Sequence, residues 1–568
     1  MADGLPRNAD VAAQFELLAD LIELEGGDAF RVTAYRRAAQ RIKETAASVA
    51  QLALDGRAKE LQGIGRTIEA KIVELVDHGE LSALAKRRAG VPPEVVLFMR
   101  LPGLGPKTAA RIWRELGIET LEELREAAEA ERLRSLPGLG ARTEQRILNA
   151  VEAAAAPAAE QRTLLGAGLP ALLAVVETLS RHPAALDVSE AGSARRRRET
   201  VRDLDVIATA SDSGVLIDYF TRLHWVVEVL AQGDSKATVL SNDGLRFDLR
   251  VVPPESFGNL LQHFTGSKEH NVALREDAVR RGFSVSEYGV TIVDTGEVRR
   301  HRGERELYEQ LGYAYIPPEL RENRGELEAA RAGELPELVE LDDLRGDLHA
   351  HTTWSDGRDS LEAMAQTARD LGHEYLAVCD HAQRLRDARL AAQWEEIDAL
   401  NAVLAPFRVV KGIEVNIRPD GSLDVADDVL SECEWVMASV HSRFDEEVTP
   451  RLLAAMEHPR VDCIGHLTGR KLNIRPPSDV AVERVIERAL ETGTFLEINS
   501  QPNRLDLRDS HARLAGEAGV PIVVSTDSHE TGALSFLGLG VAQARRGWLT
   551  RDQIVNTRPW PEIERLRG

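Results

Sequence analysis

Residues 345–529 alternate short apolar runs with helical stretches, and most of the apolar runs end in a histidine or a carboxylate. Residues 375–378, 409–413, 435–440 and 522–524 have the length and composition of buried strands. Helical stretches such as 360–371 and 481–491 lie between them. Strands that alternate with helices form parallel sheets, and polar residues at their carboxyl ends then share one face. The pattern predicts a C-terminal (β/α) barrel with a site on that face.

The polar residues that end these runs are types that bind metal ions. His349 and His351 stand two apart, so they share one face of a strand. Histidine and carboxylate ligands from successive strands would assemble a multinuclear metal site. The candidate ligands are His349, His351, Asp356, His381, Glu414, His441, His466, Asp527 and His529. Any one of these histidines taken alone would be an ordinary structural residue, but the joint pattern favours a metal site.

Nearby residues that fit no such motif are interpreted as structural. They are His373, His458 and His511, together with the small apolar Cys379 and Cys463. Asp380 is expected to orient a ligand from the second layer around the site.

A second constellation lies in the first half of the chain. Asp203 and Asp205 stand two apart in an apolar run, so both would point to one face of a strand. Asp248 lies in another alternating run. Two carboxylates on one face repel each other unless a divalent cation lies between them, and oxygen ligands suit Mg²⁺ or Mn²⁺. Upstream, the turn at Gly192 and Ser193 could hold a phosphate with its N–H groups, beside the four arginines 195–198. These are the parts of a nucleotidyl-transfer site.

The N-terminal region contains three copies of a Gly-x-Gly pattern between helical stretches. They begin at Leu61, Leu101 and Leu136. Glycines allow a tight turn, and the next helix presents free N–H groups to a phosphate, so helix-hairpin-helix motifs position DNA without reading its sequence. A single copy could merely link two helices, but three copies near basic residues favour DNA. The candidate DNA contacts are Gly63, Gly65, Gly103, Gly105, Lys107, Gly138, Gly140 and Arg142.

These motifs together resemble the family X DNA polymerases, the relatives of polymerase beta. The resemblance covers about residues 10–317 and implies that Asp203, Asp205 and Asp248 are the catalytic acids, with Ser193 and Arg196 as triphosphate ligands. The run from Phe257 to Arg275 resembles the family's nucleotide-binding thumb. It implies that the turn at Gly266 packs under the sugar next to Phe264, while Asn271 and Arg275 face the DNA minor groove. His263 stands where the family often has tyrosine, which affects the expected sugar discrimination.

The first motif also resembles the lyase domain of polymerase beta. That resemblance implies Lys71 as a Schiff-base lysine with Tyr35 as its helper. The alternative is a protonated Lys71 that holds a 5′-phosphate.

The C-terminal region, about residues 345–560, resembles the PHP (polymerase and histidinol phosphatase) domain. The resemblance implies up to three ions, Mn²⁺ or Zn²⁺. His349, His351 and Asp527 would bind the first, and Glu414 would bridge it to a second. His441 and His466 would complete the second site. Asp356, His381 and His529 would hold the third.

The cysteine content fits a cytoplasmic enzyme, whereas the overall acidic charge is unexpected for a DNA-binding protein. The net charge is −22, so local basic patches would have to bind the phosphates. Three cysteines without a paired motif fit a reducing compartment. There is no signal-like segment and no apolar run that could span a membrane.

We therefore expect a multidomain α/β chain. Its expected parts are a lyase-like helical domain (1–90), a helix-hairpin-helix domain (91–156), an α+β nucleotidyltransferase palm (157–255), a thumb (256–318), a linker (319–344) and a PHP domain (345–568). The expected function is gap-filling DNA synthesis in repair from dNTPs at a primer 3′ end on gapped or nicked duplex, with a 3′–5′ exonuclease in the PHP domain. We expect a monomer. The alternatives are a small-molecule phosphatase with a vestigial palm and a non-enzymatic scaffold for DNA ends.

Overall fold

The computed structural model describes residues 5–6, 8–45, 48–61, 63–88, 90–99, 101, 104–136, 138–155, 162–385 and 388–567. By backbone contacts the chain forms two compact units. The first is Met1–Gln161 with Asp212–Val251, and the second is Arg162–Ser211 with Val252–Gly568. Within the described residues, no helix combines the length and the apolar character that crossing a bilayer requires.

The N-terminal part of the first unit is a bundle of short helices around one apolar core. Phe15, Phe98 and Ile112 are fully buried in that core. Apolar residues recur along each helix at the spacing of one face, which is why these segments pack as helices. The helices are α1 (Asn8–Leu24), α2 (Ala29–Glu44), α3 (Val49–Leu54), α4 (Arg66–His78), α5 (Ser82–Arg88), α6 (Pro93–Phe98), α7 (Pro106–Leu116), α8 (Leu121–Glu129) and α9 (Ala141–Ala155).

The predicted palm contributes elements to both units. In the second unit β1 pairs with β3 and β2 pairs with β4, each antiparallel. Those elements are β1 (Thr163–Leu164), α10 (Leu165–Ser180), β2 (Ala185–Glu190), α11 (Gly192–Arg195), β3 (Thr200–Val201) and β4 (Leu204–Ala210). The first unit holds α12 (Ser213–Thr221) and an antiparallel meander of β5 (Val226–Gln232), β6 (Lys236–Ser241) and β7 (Arg246–Val252).

The thumb region is helical with a small antiparallel sheet. Its elements are α13 (Phe257–Thr265), α14 (Lys268–Arg280), β8 (Phe283–Ser286), β9 (Gly289–Ile292), β10 (Val298–Arg299) and α15 (Glu304–Gln310). The segment predicted as a linker contains α16 (Glu326–Ala332), whose Leu327 and Ala330 pack into the thumb core. Glu326 is fully buried there, and its carboxylate lies 2.6 Å from His270 Nδ1, which offsets the cost of burying it.

The C-terminal domain is a nearly closed barrel of seven parallel strands in sequence order. A bridge between Ala350 and Ser528 brings the first and last strands together. The strands are buried on both faces, as their continuous apolar runs predict. They are β11 (Gly346–Ala350), β12 (Tyr375–Val378), β13 (Arg408–Asn416), β14 (Trp435–Ser439), β15 (Cys463–Ile464), β16 (Phe495–Asn499) and β17 (Ile522–Ser525). The helices are α17 (Leu361–Asp370), α18 (Ala388–Leu404), α19 (Asp427–Glu432), α20 (Thr449–Met456), α21 (Val482–Thr492), α22 (Asp509–Ala518), α23 (Leu537–Arg546) and α24 (Trp560–Leu566). The predicted barrel is confirmed.

Candidate active sites

The barrel brings all nine predicted metal-binding side chains to the carboxyl ends of its strands. The first group lies around Asp527: its Oδ1 is 3.7 Å from His349 Nε2 and 3.2 Å from His351 Nε2. Asp527 has a φ of 52°, in the left-handed region that most residues avoid, so the fold holds this carboxylate in place at a cost in strain.

The second group is centred on Glu414. Its Oε1 lies 3.4 Å from His441 Nε2 and 3.3 Å from His466 Nε2. Its Oε2 lies 3.0 Å from His381 Nδ1 and 3.6 Å from His351 Nε2. Glu414 therefore stands between the histidines of several strands, as a bridging carboxylate would.

The third group surrounds Asp356, which lies in the loop after β11. Its carboxylate is 3.5 Å from His381 Nε2, 3.6 Å from His529 Nε2 and 3.9 Å from His351 Nδ1. His351 lies near the carboxylates of all three groups, and His381 lies near those of two. The predicted assignment gives each histidine to one ion, whereas this arrangement would let neighbouring sites share histidines.

The burial and hydrogen bonding of the Glu414 carboxylate indicate whether these residues are suited to divalent cations. It is 1% exposed, and neither oxygen has a hydrogen bond of good geometry to any residue that the structure describes. A buried carboxylate that lacks hydrogen bonds is costly, whereas a cation between Glu414 and the imidazoles would bind both the carboxylate and the ring nitrogens. The donor set of histidine nitrogens and carboxylate oxygens suits Zn²⁺ or Mn²⁺. The residues fit a multinuclear metal centre.

The charges in the cluster shift the pKa values of its members. Burial alone would raise the pKa of the Glu414 carboxyl, but His441 and His349 hold it well below its usual range. Burial disfavours the protonated form of His349, yet the Glu497 and Asp527 carboxylates raise its pKa well above the ordinary value. The surrounding charges therefore favour the ionised form of Glu414, which is the form that binds a cation.

Residues behind the ligands fix their orientation. Glu497 Oε1 lies 2.7 Å from His349 Nδ1, and Glu497 Oε2 accepts a hydrogen bond from the main-chain N–H of His466. Asn416 Oδ1 lies 2.7 Å from His441 Nδ1, and Asn499 Nδ2 donates to Asp527 Oδ2 at 3.0 Å. Such partners set the tautomer and the basicity of a ligating histidine.

Sequence reasoning missed these orienting residues. The signal that could have found them is the run 495–499, in which Glu497 and Asn499 interrupt an otherwise apolar strand. Asp380 was expected to orient a ligand. It instead accepts hydrogen bonds from Thr352, Ser355 and Gln393, and so anchors the loop after β11.

In the palm, the structure places Asp203 and Asp205 on one face at the start of β4. Asp203 directly precedes the strand, and both are half-buried while the intervening Leu204 is buried. Gly192 has a φ of 64°, and a Cβ there would overlap the Asp205 carboxylate. The glycine turn is therefore fitted against the Asp205 side chain, and Ala191 N–H donates to the Asp205 carbonyl at 2.8 Å.

Asp248 lies in β7 of the other unit. It is paired across the sheet with Thr238, whose hydroxyl donates to its carboxylate, and Arg246 Nε donates to it at 3.1 Å. The metal role of the three aspartates remains a prediction.

The arginines after the glycine turn are already paired with carboxylates. Arg195 donates to Glu304 with both terminal nitrogens, at 3.0 and 2.7 Å. Arg196 Nε donates to Glu322 Oε1 at 3.0 Å, and Arg197 pairs with Glu190 at 3.2 Å. A phosphate that binds the arginines of this turn would have to displace these carboxylates.

The predicted nucleotide-binding residues of the thumb contact one another. Gly266 directly follows α13, and Asn271 Nδ2 donates to the Gly266 carbonyl at 3.2 Å and to the His263 carbonyl at 2.7 Å. Arg275 Nη2 lies 2.7 Å from His263 Nδ1. Phe264 packs against the small core that includes Ala191 and Ile207. Asn271 therefore stabilises the turn, while the ligand roles stay predictions.

Lys71 lines a cavity of about 560 Å³ within the helical bundle. Tyr35, Arg31 and Arg87 line the same cavity. The Lys71 side chain is 18% exposed, and its Nζ lies 3.9 Å from Glu74. Three cationic side chains around one cavity are suited to an anionic ligand such as a terminal phosphate.

The glycine motifs lie at helix starts, as predicted. Gly65 and Gly105 cap α4 and α7, and Gly63 and Gly138 have φ values of 88° and 86°. Gly140 directly precedes α9, and Arg142 lies in its first turn. Lys107 is exposed in the first turn of α7, whereas Gly103 lies outside the described residues.

Four family models match the chain. A helix-hairpin-helix domain matches residues 6–81, and a SAM-like helix-hairpin-helix tandem matches residues 95–153. The DNA polymerase beta thumb matches residues 260–322, and the PHP domain matches residues 347–501.

Similar proteins match either nearly the whole chain or a part of it. The DNA polymerase/3′-5′ exonuclease PolX of Bacillus subtilis is 39% identical over 98% of each chain. DNA polymerase lambda of Rattus norvegicus is 26% identical over 56% of each chain, and a probable phosphatase of Thermoanaerobacter is 27% identical over 37% of this chain and 89% of its own. Given the similarity to PolX along nearly its full length, the chain belongs to the bacterial family X DNA polymerases, which carry a polymerase beta-like core and a C-terminal PHP domain.

Proposed function

We propose that this chain is a DNA-directed DNA polymerase that fills gaps during repair, and that its PHP domain is a 3′–5′ exonuclease that processes 3′ ends. The observation that carries the proposal is the buried donor cluster around Glu414, found in a chain similar over nearly its whole length to a polymerase/exonuclease. A small-molecule phosphatase would not require the helix-hairpin-helix motifs, and a DNA-end scaffold would not require the donor cluster.

In the palm, Asp203, Asp205 and Asp248 would hold Mg²⁺ or Mn²⁺. When bound, these cations lower the pKa of the primer 3′ hydroxyl and stabilise the charge that develops at the α-phosphate of a dNTP. The Gly192 turn offers main-chain N–H groups, and Ser193 offers a hydroxyl to the triphosphate. Arg196 is largely buried and paired with Glu322, so it would bind the triphosphate by exchanging one anionic partner for another.

The helix-hairpin-helix glycines would hold the phosphates of a gapped or nicked duplex. In the thumb, Phe264 and Gly266 would pack under the sugar, and Asn271 and Arg275 would face the minor groove. Arg275 is held by His263, which stands at the position that affects sugar discrimination.

In the PHP domain, the nine clustered residues would hold up to three ions of Mn²⁺ or Zn²⁺. When bound, these ions polarise the scissile phosphate as Lewis acids. Glu497 holds the Nδ1 side of His349, and Asn416 holds that of His441, so each imidazole presents Nε2 to the site. Cys379, Cys433 and Cys463 are free and buried, which fits the cytoplasmic location that we propose.

The proposal is tested by two assays on one purified protein. Primer extension on a one-nucleotide gap and shortening of a labelled 3′ end should both stop with a chelator and return with Mn²⁺ or Mg²⁺. Hydrolysis of a sugar phosphate by a protein that extends no primer would instead support the phosphatase, and gap binding without either activity would support the scaffold.

A further inference from the structure

We propose that the PHP domain positions the nucleotide-binding turn of the palm, residues 192–199, and thereby sets the affinity for the incoming dNTP. Arg546 is the principal positioning residue. The inference rests on the proposed role of Arg196 as a triphosphate ligand.

Arg546 ends α23 of the barrel, and its side chain is 1% exposed. Its Nη1 donates to the main-chain carbonyl of Arg196 at 2.7 Å and to Glu322 Oε1 at 2.9 Å. Its Nη2 donates to Asp509 Oδ2 at 2.7 Å. A buried guanidinium with this many partners is fixed in place, so the Arg196 backbone is held by a residue of the PHP domain.

Glu322 is shared between two guanidinium groups. The same Oε1 accepts from Arg196 Nε at 3.0 Å and from Arg546 Nη1. Arg546 partly neutralises the negative charge of Glu322, and this weakens the electrostatic attraction between Glu322 and the Arg196 guanidinium. A triphosphate must compete with Glu322 for that side chain, so Arg546 favours nucleotide binding both by fixing the backbone and by releasing the guanidinium.

The other end of the turn is also attached to the barrel. Glu199 accepts two hydrogen bonds from Arg470, at 3.2 and 2.7 Å, and one from Gln543 at 2.8 Å. Gln543 lies one turn before Arg546 on α23. The nucleotide-binding turn is therefore held by the barrel at two separate points.

These contacts act on nucleotide binding rather than on the metal-dependent step. We expect Arg546→Met to raise the KM for dNTP by about tenfold, because charge-assisted hydrogen bonds are lost, while kcat stays within about twofold. Affinity for gapped DNA and 3′-end degradation should be unchanged, since Arg546 contacts neither the helix-hairpin-helix motifs nor the nine clustered residues among its described partners.

Three further variants test whether a rise in the KM for dNTP comes from the contacts of Arg546 with the nucleotide-binding turn. Arg545→Met is the matched control, because its partners Glu319, Glu340 and the Val339 carbonyl lie outside the turn. Arg546→Lys keeps the charge and should restore part of the affinity. Adding Glu322→Gln to Arg546→Met removes the competing carboxylate and should lower the KM again.

Steady-state gap filling with each variant, after a melting curve, tests the inference separately from the proposed function. If Arg196→Met leaves the KM for dNTP unchanged, the triphosphate role of Arg196 is wrong. If Arg196→Met raises the KM but Arg546→Met raises it no more than Arg545→Met, only the positioning role is overturned. Should Arg546→Met fail to fold, Gln543→Ala and Arg546→Lys replace it, and an unchanged KM in both overturns the proposal.

Discussion

Lys71 is the candidate nucleophile for Schiff-base formation with a DNA end. It lines a cavity with Arg31 and Arg87, which could place a 5′-phosphate beside its amine. We expect borohydride to trap the protein on DNA that carries a 5′-deoxyribose phosphate, because a Schiff base forms between the amine and the sugar aldehyde.

The matched pair of variants for this test is Lys71→Ala and Lys71→Arg. Both should lose the trapped adduct, although arginine keeps the positive charge and so retains binding of the phosphate. An adduct that persists in Lys71→Arg would show that another amine is the nucleophile. If the wild type forms no adduct and Lys71→Ala binds the 5′-phosphate DNA more weakly, Lys71 is a phosphate ligand and not a nucleophile.

Glu304 is the residue on which the thumb core depends. Its side chain is 4% exposed and pairs with Arg195 and the fully buried Arg321. Replacing it with glutamine would leave two buried cations without a counter-charge, so we expect Glu304→Gln to lower the free energy of unfolding by about 3–5 kcal/mol. Urea unfolding measures this loss. Glu297→Gln, at an exposed ion pair of the same domain, is the control and should change little.

The lowered pKa of Glu304 predicts that the stability of the folded protein depends on pH. Burial opposes ionisation of Glu304, but Arg321 and Arg195 outweigh it and lower the pKa to about 2, from 4.5. Because the folded-state pKa lies below the unfolded value, this contribution to stability is complete above pH 4.5 and is lost as the pH falls towards 2. Unfolding of Glu304→Gln should show a weaker pH dependence in that window. An identical profile for the two proteins would contradict the assignment.

At the scale of elements, the barrel is predictable because its strands are continuous apolar runs that alternate with helices. The clustering of the nine candidate ligands is predictable because they lie near or just after the carboxyl ends of those strands, although their metal binding remains a prediction. The strand 495–499 is hard to predict because Glu497 and Asn499 interrupt its apolar run, and the orienting roles of these two residues depend on that strand. The partners of Arg195 and Arg196 could not be predicted either, since Glu304 and Glu322 lie more than a hundred residues away in the chain. The charged composition of helix α16 predicts a linker, because the sequence does not reveal the buried pairing of Glu326 with His270.

The helix-hairpin-helix elements predict how DNA binding responds to salt. Contacts made only to phosphates release counterions, so affinity for gapped duplexes should fall steeply with salt and ignore sequence. Lys107 is exposed at the start of α7, and Lys107→Ala should reduce the slope of log K against log salt concentration by about 0.9. Lys86→Ala, an exposed lysine outside the three motifs, is the control. A marked sequence preference or an unchanged slope would contradict phosphate-only recognition.

At the scale of the whole molecule, we expect two chemistries at two separate sites, because the palm aspartates and the barrel cluster lie in different folds. Asp205→Ala removes a predicted cation ligand from the palm, so primer extension should fall by about a hundredfold or more while 3′-end degradation continues. His351→Ala removes a donor that lies near all three carboxylates of the barrel cluster and should have the opposite effect. His458→Ala is the histidine control, since that side chain lies outside the cluster and pairs with the exposed Asp427. Both assays on each variant, with folding verified by melting, measure this separation. If Asp205→Ala abolished both activities in folded protein, the nuclease would depend on the palm, and the barrel would not be its active site.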